Sequence, residues 1–278
     1  MTALPAWEAF LGQPRREMSL AHGALLIACA EYPELDVAAY LRRLDDMAAT
    51  LKARLPADIG RSGMLAALNR YLFDELGFKG NQADYYDPRN SFLNDVIERK
   101  LGIPITLSVL YIEIGKRLGL PLQGVSFPGH FLVKCAMRDG NGVIDPYAGG
   151  TSLGIKDLQA RVRTLSGGRD MPPEAVMSML AASPAPEILA RMLRNLRAIH
   201  AECGDNEKAL AAANRVIDLS PESADDYHVR SRLLEAMECF RAALSDLEAC
   251  MRLAPDRPDA HALGLRMVRL REQAARLN

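Results

Sequence analysis

Apolar residues recur at helical spacing through the first part of the chain. From Met18 to Glu31, Leu20, Ala24, Leu25, Ile27 and Ala28 mark one helix, which Pro33 stops. Asp36 is placed to start the next, with Val37, Tyr40, Leu41, Leu44, Met47 and Leu51 on one face. Its charges, Arg42, Arg43, Asp45 and Asp46, fall largely on the other side and are expected to be solvated. Ser62 to Leu76 forms a third helix, with Leu65, Leu68, Leu72 and Leu76 in a row and Gly77 as terminator. Ahead of these, Met1 to Arg16 holds two prolines and a loose apolar set, so a poorly ordered or weakly docked start is expected.

The run GFKGNQADYYDPRN is rich in glycine, aspartate and asparagine and predicts a loop. Tyr85 and Tyr86 are expected to pin it to the core rather than line a site. Ser91 fits the N-cap of a helix over FLNDVIERK, ended by Gly102. Pro104 suits the first turn of the following helix, where its missing N–H costs nothing. That helix, ITLSVLYIEIGKRLG, is apolar almost all round and therefore belongs inside a domain. The period then changes. Gln123 to Phe127 and Phe131 to Met137 predict short strands around PGH, and RDGNG predicts a turn leading to Val143 and Ile144. A turn centred on Gly140 and Asn141 would set Asp145 opposite Ala136, so that His130 meets Asp145 only through a bulge or bend. This order of elements predicts an α+β fold. Ile155 to Leu165 and Pro173 to Ala182 predict two short helices, and SPAP at 183–186 marks the domain boundary. The expected domains are 1–182, including the N-terminal helices, and 183–278.

Beyond the boundary the pattern repeats. KALAAANRVIDLSP ends at Pro221 and RAALSDLEACMRLAP at Pro255, an offset of 255 − 221 = 34. Ala209 and Leu210 recur at Ala243 and Leu244, and Leu219 at Leu253. This period, with A-L early in the second helix and L-x-P at its end, resembles the tetratricopeptide repeat. Arg197 and Ser231 stand where that repeat expects a small residue in its first helix. Two repeats and a final helix from about Pro258 to Leu277 predict a short all-α array.

Composition narrows the function classes. A formal net charge of −1 gives no overall field to attract nucleic acid or an acidic membrane. No apolar run reaches the ~18 residues of a membrane span, and the N-terminus lacks a signal-peptide core. Five cysteines, an odd number without CxxC, predict buried reduced thiols and a cytoplasmic protein. His22, His200, His228 and His261 have no metal-ligand spacing, and neither a P-loop nor a dinucleotide fingerprint is present, so no metal or cofactor is expected.

The candidate chemistry lies between Asn90 and Gly150. A helix N-terminus facing a strand-borne His, backed by an Asp, is the geometry of a Cys-His-Asp nucleophile site. On the stretches GIPITLSVLY, RLGLPLQGV, PGHF and IDPYAGG, the chain resembles the transglutaminase-like superfamily with its papain-like α+β core. More closely it resembles the SirB branch, where such a domain precedes tetratricopeptide repeats. The resemblance implies that His130 and Asp145, 15 positions apart, match the family's catalytic His and Asp. The family's cysteine falls on Pro104 or Ile105, neither of which is a nucleophile. Cys135, an odd five positions after His130, faces the other way on a regular strand. Thr106 and Ser108 offer hydroxyls near the helix start.

Two functions follow as expectations. The first is a non-catalytic, regulatory protein that binds a protein or peptide partner through the former active-site cleft and the repeats. The second is a hydrolase or acyl-transfer enzyme that uses His130 and Asp145 with Thr106, Ser108 or water.

Overall fold

The computed structural model describes residues 3–137 and 140–276, with side chains from residue 5 onward. The chain divides into two compact units, Met1–Leu189 and Ala190–Asn278.

The first unit opens with α1 (Ala3–Leu11), which is docked rather than loose. Trp7 and Phe10 are buried and stack at 5.7 Å, and Phe10 meets the ring of His22 edge-on at 5.6 Å. Two aromatic residues one turn apart supply enough apolar area to anchor a short helix whose remaining pattern is weak. His22 lies on α2 (Leu20–Ala28). Asp36 starts α3 (Val37–Lys52), its carboxylate accepting from the Ala39 N–H at 2.9 Å. The third predicted helix begins as α4 (Arg61–Asn69) and then widens into a π-helical turn, Arg70–Glu75, before Gly77 ends it at φ +74°.

A short parallel pair, β1 (Lys79–Gly80) and β2 (Leu101–Gly102), encloses the predicted loop and α5 (Leu93–Arg99). Phe92, not Ser91, precedes α5. Asp87 caps a 3-10 turn over Pro88–Ser91, and that turn takes up Ser91. The Ser91 hydroxyl is buried with no hydrogen-bond partner among the described residues.

Next comes α6 (Pro104–Arg117), buried from Pro104 to Gly115 as its all-round apolar sequence requires. Gly119 at φ +88° and Pro121 close it. An antiparallel sheet follows in the order β3 (Leu122–Val125), β4 (Leu132–Met137), β5 (Gly140–Asp145), β6 (Thr151–Leu153). Then come α7 (Ile155–Leu165) and α8 (Pro173–Ser178). One sheet face packs on α6: Leu122 approaches Gly115 so closely that a Cβ there would lie 2.2 Å from it. Val125, Leu132 and Val143 on the other face share a core with Leu158, Val162 and Val176 of α7 and α8.

The hairpin register differs from expectation. Met137 pairs with Gly140 and Val133 with Ile144, which carries Asp145 to a position across from Leu132. The predicted turn residues Gly140 and Asn141 are already in the strand, and residues 138 and 139 lie outside the described part. The four-residue shift brings Asp145 to His130 with no bulge.

The second unit is helical. It takes up most of α9 (Ala185–Glu202), followed by α10 (Asn206–Leu219), α11 (Ala224–Ala236), α12 (Phe240–Leu253) and α13 (Ala260–Arg276). α10 and α12 start 240 − 206 = 34 residues apart and end 253 − 219 = 34 apart, as the repeat predicts. Arg197, in place of a small residue, turns to a buried carboxylate. Asp226 accepts from Arg197 at 2.8 Å and from both Nε and Nη2 of Arg194 at 3.0 and 2.6 Å. Arg230 bridges α11 to Asp246 of α12 at 2.7 Å. No disulfide joins the five cysteines; Cys29, Cys135 and Cys250 are buried, whereas Cys203 and Cys239 are exposed, against the expectation that all five would be buried.

Candidate functional site

His130 is presented by a tight turn. Its N–H donates to the Phe127 carbonyl at 3.1 Å, with Pro128 second and Gly129 third at φ +64°, the residue types a type II turn selects. The ring then sits just ahead of β4. Asp145 closes β5 and caps the 3-10 turn Pro146–Ala148.

The two side chains meet. His130 Nε2 lies 2.9 Å from Asp145 Oδ1, within hydrogen-bond distance. The same Oδ1 accepts from the N–H groups of Tyr147 and Ala148 at 3.1 and 3.3 Å. Oδ2 accepts from Arg161 of α7 at 2.6 Å. Asp145 is 1% exposed and His130 17%. Burial alone would raise the Asp145 pKa, but the hydrogen bonds and positive charge of His130 and Arg161 outweigh it, and the carboxyl titrates below its ordinary 3.8. Arg161, which sequence reasoning missed, shares the carboxylate with His130. Its only signal was a cation one turn from the end of an amphipathic helix.

An aromatic run leads away from His130. Its ring meets Tyr147 edge-on at 6.0 Å, Tyr147 meets Tyr85 at 6.3 Å, and Tyr85 meets Tyr86 at 5.3 Å. Tyr147 lies over Gly80, where a Cβ would come within 2.4 Å of the ring. Tyr85 and Tyr86 are 40% and 65% exposed, and Asn90 ties their loop down through its side-chain amide. Its amide donates to the carbonyls of Asp84 and Tyr85 at 2.7 and 3.2 Å and accepts from Asn81 at 3.0 Å.

The start of α6 is closed by comparison. Pro104 and Ile105 are buried. Thr106 is fully buried, and its hydroxyl donates to the Asn90 carbonyl at 2.7 Å while accepting from the Ile103 N–H at 3.1 Å. Ser108 is also fully buried, with its hydroxyl unpartnered among the described residues. Cys135 is buried on the sheet face toward α6, and burial pushes its thiol pKa up. Thr106→Val is therefore expected to destabilise the protein by about 2 kcal/mol, because it orphans one donor and one acceptor. Ser108→Ala, which removes an unpaired hydroxyl, is expected to be neutral or slightly stabilising. Urea unfolding of both variants checks the contrast.

Among the described residues, no group of three His, Cys, Asp or Glu is placed to hold a metal ion, and no helix is long and apolar enough to cross a membrane.

Comparison with known proteins adds to this geometry. Residues 38–194 match the model of the transglutaminase-like superfamily, and residues 196–267 match a tetratricopeptide repeat model. A UPF0162 protein of Xylella fastidiosa is 39% identical over 252 residues, covering 91% of this chain and 90% of that one. UPF0162 protein PA3419 of Pseudomonas aeruginosa is 33% identical over 258 residues, covering 93% of each. A segment of 107 residues is 39% identical to human F-box only protein 21, covering 36% of this chain and 17% of that protein.

Proposed function

The chain belongs to the transglutaminase-like superfamily, with the UPF0162 proteins as full-length relatives, and from that premise we propose that it is a non-catalytic, regulatory module that binds an extended peptide or protein segment. The carrying observation is the buried Pro104 at the first position of α6, where the superfamily pattern calls for a nucleophile. Thr106 is committed to two backbone groups and Ser108 is fully buried, so neither hydroxyl is presented at the surface of that helix start. Asp145 then acts as a structural acceptor for four donors. The surface used is the aromatic run that leads from the partly buried His130 and Tyr147 to the exposed Tyr85 and Tyr86, since aromatic rings bring large contact area at low entropic cost. The tetratricopeptide helices offer a second protein-binding surface. We assign residues 1–182 to the first role and 183–278 to the second, place the chain in the SirB branch on its domain order, and place it in the cytoplasm on its odd cysteine count. Nucleic acid and membrane are not among the proposed partners.

One observation favours a second reading. His130 and Asp145 retain a 2.9 Å hydrogen bond, so a water activated by His130 would give a hydrolase without a covalent intermediate.

Fluorescence anisotropy with labelled peptide pools, run beside hydrolysis of activated acyl esters, separates the readings. Tyr85→Ala/Tyr86→Ala is expected to weaken peptide binding at least about tenfold, a hot-spot-sized effect. His130→Ala, at the more buried end of the run, is expected to weaken binding less than the double tyrosine variant, with no ester turnover in either protein. Turnover that disappears with His130→Ala would establish the hydrolase instead.

A further inference from the structure

On the first unit, away from His130, a cavity of about 360 Å³ opens between the 3-10 turn Arg15–Glu17, α6, β3 and the segment 182–188. Its floor is apolar: Met18, Ile112 and Ile188 line it and are themselves buried. Its rim is cationic. Arg15, Arg16 and Lys116 reach it from two elements, and no carboxylate lines it.

The asymmetry of charge is specific to this rim. The chain as a whole is balanced, with 34 basic and 35 acidic residues. The neighbour Arg117 follows the balanced pattern, bonding Asp45, Glu113 and the Glu113 carbonyl at the end of α6. Lys116, one residue earlier, turns to the cavity and forms no ion pair among the described residues. Arg16 pairs with Glu17 at 3.4 Å, with both side chains largely exposed, a pair of little strength. Arg16 and Lys116 bring like charges to one apolar opening, and an anion seated between them relieves their repulsion. The volume is at the small end for small-molecule sites, and an apolar floor with a few polar groups at the mouth is their usual make-up.

We propose that this cavity binds a small amphipathic carboxylate, its apolar body on Met18, Ile112 and Ile188 and its anionic head on Arg15, Arg16 and Lys116. The site is separate from the His130 surface, and its occupancy requires nothing of that surface.

The test is calorimetric titration of the full chain with octanoate as probe. Octanol supplies the tail without the charge, inorganic phosphate the charge without the tail, and acetyl-Leu-Leu a peptide carboxyl terminus. Saturable binding of octanoate near one equivalent is expected, weakened by added salt. Octanol and phosphate are expected to bind at least about tenfold more weakly, as loss of one charge-assisted contact or of the buried tail implies. The triple variant Arg15→Gln/Arg16→Gln/Lys116→Gln alters only exposed side chains, keeps the fold, and is expected to lose at least about tenfold in affinity. Equal binding by the triple variant, absence of saturation, or tighter binding of phosphate or acetyl-Leu-Leu than of octanoate would each overturn the assignment.

Discussion

Asp145→Ala is expected to destabilise the protein by about 3 kcal/mol in urea unfolding at neutral pH, well beyond the effect of His130→Ala. Asp145 is 1% exposed and holds four donors: His130, Arg161 and the N–H groups of Tyr147 and Ala148. Alanine leaves a cation and two backbone donors without their acceptor, and unmet buried groups cost more than the bonds contributed. His130→Ala removes only one of the four, and is expected to cost about 1 kcal/mol. The gap between the variants has a pH signature. The folded Asp145 pKa lies below its ordinary 3.8, so its contribution is fully present above that value and fades as pH falls through the folded value. The wild-type advantage over Asp145→Ala should shrink only in acid. A gap unchanged between pH 7 and pH 2 would contradict the assignment.

Asp226→Ala carries the second large effect, about 3–5 kcal/mol. The carboxylate is buried between Arg194 and Arg197, with Arg194 engaging it through two nitrogens. Removing it leaves two guanidiniums of α9, one turn apart, without their buried acceptor. Asp226→Asn is expected to recover part of the loss, since its oxygen still accepts while its charge is gone. Burial would raise the Asp226 pKa, but hydrogen bonds from Arg194, Ser223 and Arg197 prevail and lower it. Stability from this site is therefore also present above pH about 4 and lost below it. Thermal unfolding followed by far-ultraviolet circular dichroism provides the measurement, with Arg194→Ala expected to lose less because Arg197 still neutralises Asp226.

Much of this architecture was legible. The helices with strong periodicity, the all-round apolar α6 and the 34-residue offset follow from residue spacing, whereas the His130 and Asp145 pair is implied by the family resemblance. What failed to read depended on contacts rather than pattern. Trp7 and Phe10 dock α1 through ring packing that a loose apolar set does not announce. Ser91 looked like an N-cap because its type is right, but Asp87, four residues earlier, claimed the turn. The hairpin register turned on which residues of RDGNG enter β5, and the sequence offers two glycines and an asparagine there. Arg161 was invisible because its partner is set by the pairing of β5 and the position of α7. The hold that Asn90 has on the loop is not announced by residue type, because its amide reaches the carbonyls of Asp84 and Tyr85 only once the loop is folded.

The β4–β5 register bears on how the chain reaches its fold. Side chains alternate along a strand, so a slip of one residue exchanges the two faces of β5. Asp145 would then point toward α6, into the layer that now holds Val133, Cys135 and Ile144, and away from the His130 and Arg161 donors it has in the native register. The apolar residues of β5 would tolerate such a slip, since Val143 and Ile144 are nearly interchangeable in volume. Asp145 would not, because an unpaired buried charge costs several kcal/mol. The carboxylate thus acts during folding as a proofreader of strand alignment, and a hairpin carrying Asp145→Leu would be free to settle in either alignment.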